Sequence, residues 1–88
     1  MNLSALEDLI RADRAAAGPA LDRALRTLHG SGDAQTMLSL HLLATEYWCD
    51  DKDQSAFHRT HAYVYALEAG DWKVVNALYT DLSVEGRI

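Results

Sequence analysis

Proline, cysteine and phenylalanine occur once each in this 88-residue chain. A single thiol, Cys49, allows no internal disulfide and excludes the stapled architecture of small secreted domains. It fits a reducing compartment, and the cytoplasm is the expected location. No apolar run approaches the roughly 20 residues that span a bilayer, so no membrane partner is expected. Glu7 and Asp8 interrupt the first apolar stretch, so the layout of a signal peptide is not expected. Positive charge is also scarce. Residues 1–29 balance four acids (Glu7, Asp8, Asp13, Asp22) with four arginines (Arg11, Arg14, Arg23, Arg26). The remainder sets nine acids against four bases and carries the whole net charge of −5. A chain without a basic patch is a poor match for nucleic acid or an anionic membrane. Finally, the first 46 residues contain no aromatic side chain; all seven lie between Tyr47 and Tyr79.

What is present is alanine and leucine, with no run of β-branched residues, and this composition favours helix. The apolar fraction of 49% suffices for a packed core and excludes a disordered chain. The expected fold is all-α: one domain over residues 1–88, four or five short antiparallel helices packed as hairpins around a central helix at 34–49. Residues 1–29 form an Ala/Leu-rich front hairpin and residues 33–83 an aromatic-rich core.

The first helix is expected over 4–17. Ser4 and Glu7 have capping-box spacing, Leu3, Leu6, Leu9 and Ile10 form one face, and Glu7 and Arg11 make an i,i+4 pair. Gly18-Pro19 is expected to end it, because the residue before proline is biased away from helix. The second helix then runs over 19–29 with Leu21, Ala24, Leu25 and Leu28 inward. Asp33 caps the third, 34–49, which is apolar nearly all round and therefore central or in an interface. A chain this short buries only about 60–65% of its unfolded surface, so a homodimer sharing that helix is expected. Within the third helix, His41 falls on the apolar side and reads as a core or interface residue. Asp53 is expected to cap the fourth helix, 54–69. That helix shows a bulky face (Phe57, Tyr63, Val64, Leu67), a small-residue face (Ala62, Ala66, Ala69) that lets another helix approach, and a polar stripe (His58, His61, Tyr65, Glu68). Gly70 ends it, and Asp71 caps the fifth helix, 72–83. Residues 85–88 are expected to fray.

The stretch from Tyr63 to Tyr79 resembles the centre of a tetratricopeptide repeat. Gly70, Asp71 and Trp72 match the turn, and Val75 and Tyr79 stand three and seven residues after Trp72. The resemblance covers residues 63–82. It implies a packed helical hairpin and a protein-binding role.

Several chemistries can be weighed from spacing. His58 and His61 are i,i+3, as are Glu46 and Cys49 on the preceding helix; together the four are an alternative metal or small-ligand set. The ordinary reading of the His58–Glu68 stripe is a solvated helix face. Asp51-x-Asp53-x-Ser55 opens like a calcium loop, but Ala56 and Ala62 replace the required glycine and glutamate. A helix-turn-helix reading of the Ala66–Gly70 spacing fails because its second helix offers only Lys73 and carries Asp81. Gly30-Ser31-Gly32 lacks the lysine and hydroxyl of a phosphate loop. No residue pattern supports catalysis, and no cofactor is expected. The expected function is a non-catalytic interaction module that binds a protein or peptide. Tyr63, Tyr65, Trp72 and Tyr79 are its candidate anchors, with Asp50, Asp51 and Asp53 at the rim.

Overall fold

A computed structural model describes residues 3–87. It contains five helices: α1 (Leu3–Ala12), α2 (Arg14–Leu28), α3 (Ala34–Tyr47), α4 (Lys52–Ala69) and α5 (Trp72–Val84). There is no strand among the described residues, and the all-α expectation holds. None of these helices is long and apolar enough to cross a membrane.

The first boundary differs from expectation. The break falls at Asp13, not at Gly18-Pro19. Asp13 leaves the helical region (φ −151°, ψ 83°) and its carboxylate accepts from the Ala16 N–H at 3.2 Å, so it caps α2. Gly18 and Pro19 lie inside α2. Proline there removes the hydrogen bond to the Ala15 carbonyl, but Ala15 is exposed and water can take its place. The clash that usually drives the preceding residue out of helix involves its Cβ, and Gly18 has none. The glycine has a second use. A Cβ there would stand 2.9 Å from the Tyr47 hydroxyl, so its absence lets α2 close on that ring. Tyr47 in turn donates to the Arg14 carbonyl at 2.6 Å, with the Arg14 guanidinium 4.6 Å above its ring. Ser4, expected as a cap, is a helical residue of α1; residues before Leu3 lie outside the description. The Glu7–Arg11 pair forms at 3.8 Å.

Helix α3 is the middle of the assembly. Asp33 caps it through the Thr36 N–H at 2.7 Å. Leu38 and Leu40 are two residues apart, about 200° around the helix, and each centres a different core. Leu40 packs with Leu6 of α1 and Leu21 of α2, flanked by Tyr47 and Trp48. Leu38 packs with Ala62 and Ala66 of α4 and Val75 and Leu78 of α5. Met37, Leu40 and Ala44 are wholly covered within one chain, and Leu43 is half-buried. Within one chain α1, α2 and α4 thus cover most of α3, while Leu42 and Leu43 stay half-buried along a groove facing α1.

Asp51, not Asp53, caps α4: its carboxylate accepts from the N–H groups of Asp53 and Gln54, both at 3.1 Å. The faces of α4 are also reassigned. Ala62 and Ala66 do form the close-approach surface against α3, though Ala69 is exposed. The bulky residues Phe57, Val64 and Leu67 face outward, while Ser55, Ala56 and His58 are buried. Gly70 closes the helix with φ 72°, a left-handed conformation that costs glycine little, and Asp71 caps α5 through the Val74 N–H. After α5 the described residues 85–87 leave the helix as a turn that keeps contacts with the rest of the chain. The Arg87 N–H bonds the Leu82 carbonyl at 2.8 Å, and Glu85 pairs with Arg59 of α4. The expectation for Ile88 lies outside the described residues.

Candidate functional site

All four histidines of the chain line one cavity of about 430 Å³ between the end of α2, α3 and α4, together with Met37, Trp48 and Phe57. Periodicity separates these histidines: His29 follows α2, His41 is on the core side of α3, and His58 and His61 share α4. Packing brings them together because Ala62 and Ala66 let α4 approach α3 closely. His41 is the hub. Its ring lies 5.3 Å from His58, 5.1 Å from His61 and 5.6 Å from Tyr65, stacked on the last two at 23° and 17°. Trp48 stacks on His58 at 14°, and Phe57 lies 4.3 Å from His61. The core placement of His41 agrees with expectation. The solvated-stripe reading does not hold for His58, which is only 5% exposed; Tyr65 and His61 are half-buried and Glu68 is exposed.

Hydrogen bonds fix much of the cluster's protonation. His41 Nδ1 and His58 Nδ1 are 3.1 Å apart, so one ring donates and the other accepts. His61 Nδ1 lies 2.9 Å from the Phe57 carbonyl, which only accepts; neutral His61 therefore carries its proton on Nδ1 and presents a lone pair on Nε2. Burial pushes the His41 pKa down to about 4, helped by the neighbouring charges of His58, His61 and His29. Burial, then His61, also lowers that of His58. Both are neutral imidazoles at pH 7.

The four alternative ligands do not come together. Glu46 lies in a separate groove with Glu7 and Arg14, Cys49 lies beside Lys52 and Arg59, and His58 and His61 face the cavity. No group of three or more His, Cys, Asp or Glu among the described residues is arranged to hold a metal ion. The Nδ1 atoms of His41 and His58 are instead engaged with each other, and Nδ1 of His61 with the Phe57 carbonyl.

The second feature is the outer surface of α4 and α5. Phe57, Val64 and Leu67 on α4 and Trp72 and Tyr79 on α5 are between 41% and 63% exposed. Phe57 and Val64 are seven residues apart, as are Trp72 and Tyr79, so each pair shares a helix face. Of the expected anchors, Trp72 and Tyr79 are on the surface, and Tyr63 is half-buried with its ring 6.4 Å from Tyr79. Tyr65 turns inward onto His41. The rim acids Asp50, Asp51 and Asp53 are exposed, with Asp51 occupied as a cap. Phe57, Val64 and Leu67 were missing from the expected contact set because they read as core. The pointer to their exposure was the Ala62/Ala66 stripe, which had a stronger claim on the α3-facing side. No protein-family model matches the chain, and no curated protein or solved structure matches it either.

Proposed function

We propose that this protein is a non-catalytic interaction module whose contact surface is the outer face of the α4–α5 hairpin. One observation carries the reading: six large apolar side chains, Phe57, Val64 and Leu67 on α4 and Trp72, Tyr79 and Val84 on α5, stay on the surface of two consecutive helices. Large exposed apolar groups gathered on one surface mark interaction sites, and Trp, Tyr and Phe are the usual anchors. The resemblance of residues 63–82 to a tetratricopeptide hairpin supports the same role. The partner is a peptide or helix with apolar residues at i, i+3 and i+4 and basic residues beside them. Charge favours this occupant over a second copy, since the net −5 resides wholly in residues 30–88 and two copies would repel through it. A cytoplasmic setting belongs to this reading, because an exposed lone thiol such as Cys49 persists in a reducing environment.

The test is peptide-display selection on the immobilised chain, followed by titration of the enriched peptides. Basic amphipathic sequences should emerge. Trp72→Ala and Tyr79→Ala should each weaken them by about tenfold or more, the range of a buried aromatic anchor. Peptides unaffected by both substitutions would place binding elsewhere. Reversible dimerisation abolished by Trp72→Ala would assign the surface to a second copy.

A further inference from the structure

The histidine-lined cavity has a definite hydrogen-bonding pattern, and that pattern selects a ligand. His41 and His58 are 6% and 5% exposed, and each has committed Nδ1 to the other. Neither ring makes a second hydrogen bond, yet no buried side-chain nitrogen or oxygen among the described residues lacks a partner. Nε2 is the polar atom each ring has left, and both rings line the cavity. The tautomers follow. In the His41–His58 pair one ring donates through Nδ1, so its Nε2 is a lone pair; the other accepts, so its Nε2 carries the proton. Neutral His61 adds a second Nε2 lone pair. On these three rings the cavity thus presents two acceptors and one donor, with Asp22, His29 and Gln54 also in its lining.

We propose that this cavity binds an uncharged, flat, one- or two-ring heterocycle bearing an amino group, the chemical class of the aminopyrimidines and aminopurines. Such a molecule brings N–H donors for the two lone pairs and a ring nitrogen for the remaining N–H. Its faces match the ring surfaces of Trp48 and Phe57 that line the space. A volume of about 430 Å³ accommodates it. An anion is disfavoured, because the one arginine of the lining, Arg26, is already held at 2.6 Å by Asp22 and protonating the histidines opposes their burial. A metal ion is disfavoured because no group of three or more His, Cys, Asp or Glu among the described residues is arranged to hold one. Phe57 belongs to both this cavity and the α4–α5 surface, whereas Trp72 and Tyr79 lie outside the cavity and test that surface separately.

The test is NMR titration of the full chain with adenine, 2-aminopyrimidine and 2-aminopurine, reading the imidazole Cε1–H resonances. Indane, benzoate and zinc sulfate are the comparison probes. At least one amino-heterocycle should saturate, with shifts at His41, His58 and His61, and bind about tenfold or more tighter than indane, the cost of one lost hydrogen bond. His61→Phe should weaken that binding by a similar factor while the thermal transition stays cooperative. Failure of all three heterocycles to saturate would overturn the proposal, as would equal binding of indane, tighter saturation by zinc or benzoate, or indifference to His61→Phe.

Discussion

Acid should weaken this fold through His41 in a defined window. The folded His41 titrates near 4 because it is buried against α4 beside His58, His61 and His29, with Tyr65 stacked on it. In the unfolded chain it titrates near 6.5. Between those values the unfolded chain binds a proton that the folded chain excludes. Stability from this source is complete above about pH 6.5, falls as pH drops toward 4, and changes no further below that. The whole shift corresponds to about 3 kcal/mol. Water reaching the second ring nitrogen screens part of it, leaving about 1–2 kcal/mol. His58, shifted in the same direction, adds to the slope. Urea titrations at pH 7.5 and 4.5 measure the loss, and the same pair on His41→Phe separates it from carboxylate effects. The native chain should lose about 1–2 kcal/mol more than the variant over that interval. Parallel losses, or a His41 Cε1–H midpoint near 6.5, would refute the reasoning.

Gly18→Ala should destabilise by about 1 kcal/mol in chemical denaturation, against the usual preference for alanine in helices, because its Cβ meets the Tyr47 hydroxyl. In a Tyr47→Phe background the same change should instead stabilise by about 0.5–1 kcal/mol, since the remaining ring atoms stand 3.5 Å away. Asp51→Ala should cost about 0.5–2 kcal/mol as the loss of the α4 cap, whereas Asp53→Ala should leave the midpoint within about 0.5 kcal/mol. Leu40→Ala, at the junction of α1, α2 and α3, should cost about 2–5 kcal/mol in urea. A cost under about 1 kcal/mol would mean that the front hairpin is not docked on α3.

Periodicity and capping chemistry located most of the helices. Asp33, Gly70 and Asp71 act where their residue types predict, because caps are local: the two carboxylates reach backbone N–H groups three residues on, and Gly70 adopts the left-handed φ that ends α4. The all-round apolar surface of α3 marked it as central for an equally direct reason. The first boundary was misleading because Gly18-Pro19 is a strong break signal in isolation. What reverses it is Tyr47, 29 positions on, whose ring occupies the space a side chain would fill. The orientation of α4 was ambiguous for a related reason. Phe57, Val64 and Leu67 make a plausible core face, and only the close fit of Ala62 and Ala66 against Leu38 decides that they point outward. The same rotation carries His58 inward to His41, 17 residues away. The cavity is thus a product of packing, and i,i+3 spacing revealed only its His58–His61 edge.

The central claim is that one chain completes its own core around α3 and leaves Phe57, Val64, Leu67, Trp72 and Tyr79 for a partner. Sedimentation equilibrium at tens of micromolar, combined with amide exchange of α3, tests it most directly. A 9.7 kDa species with α3 amides protected to the limit of global unfolding is the expected result. A species of about twice that mass whose dissociation strips protection from α3 would contradict it.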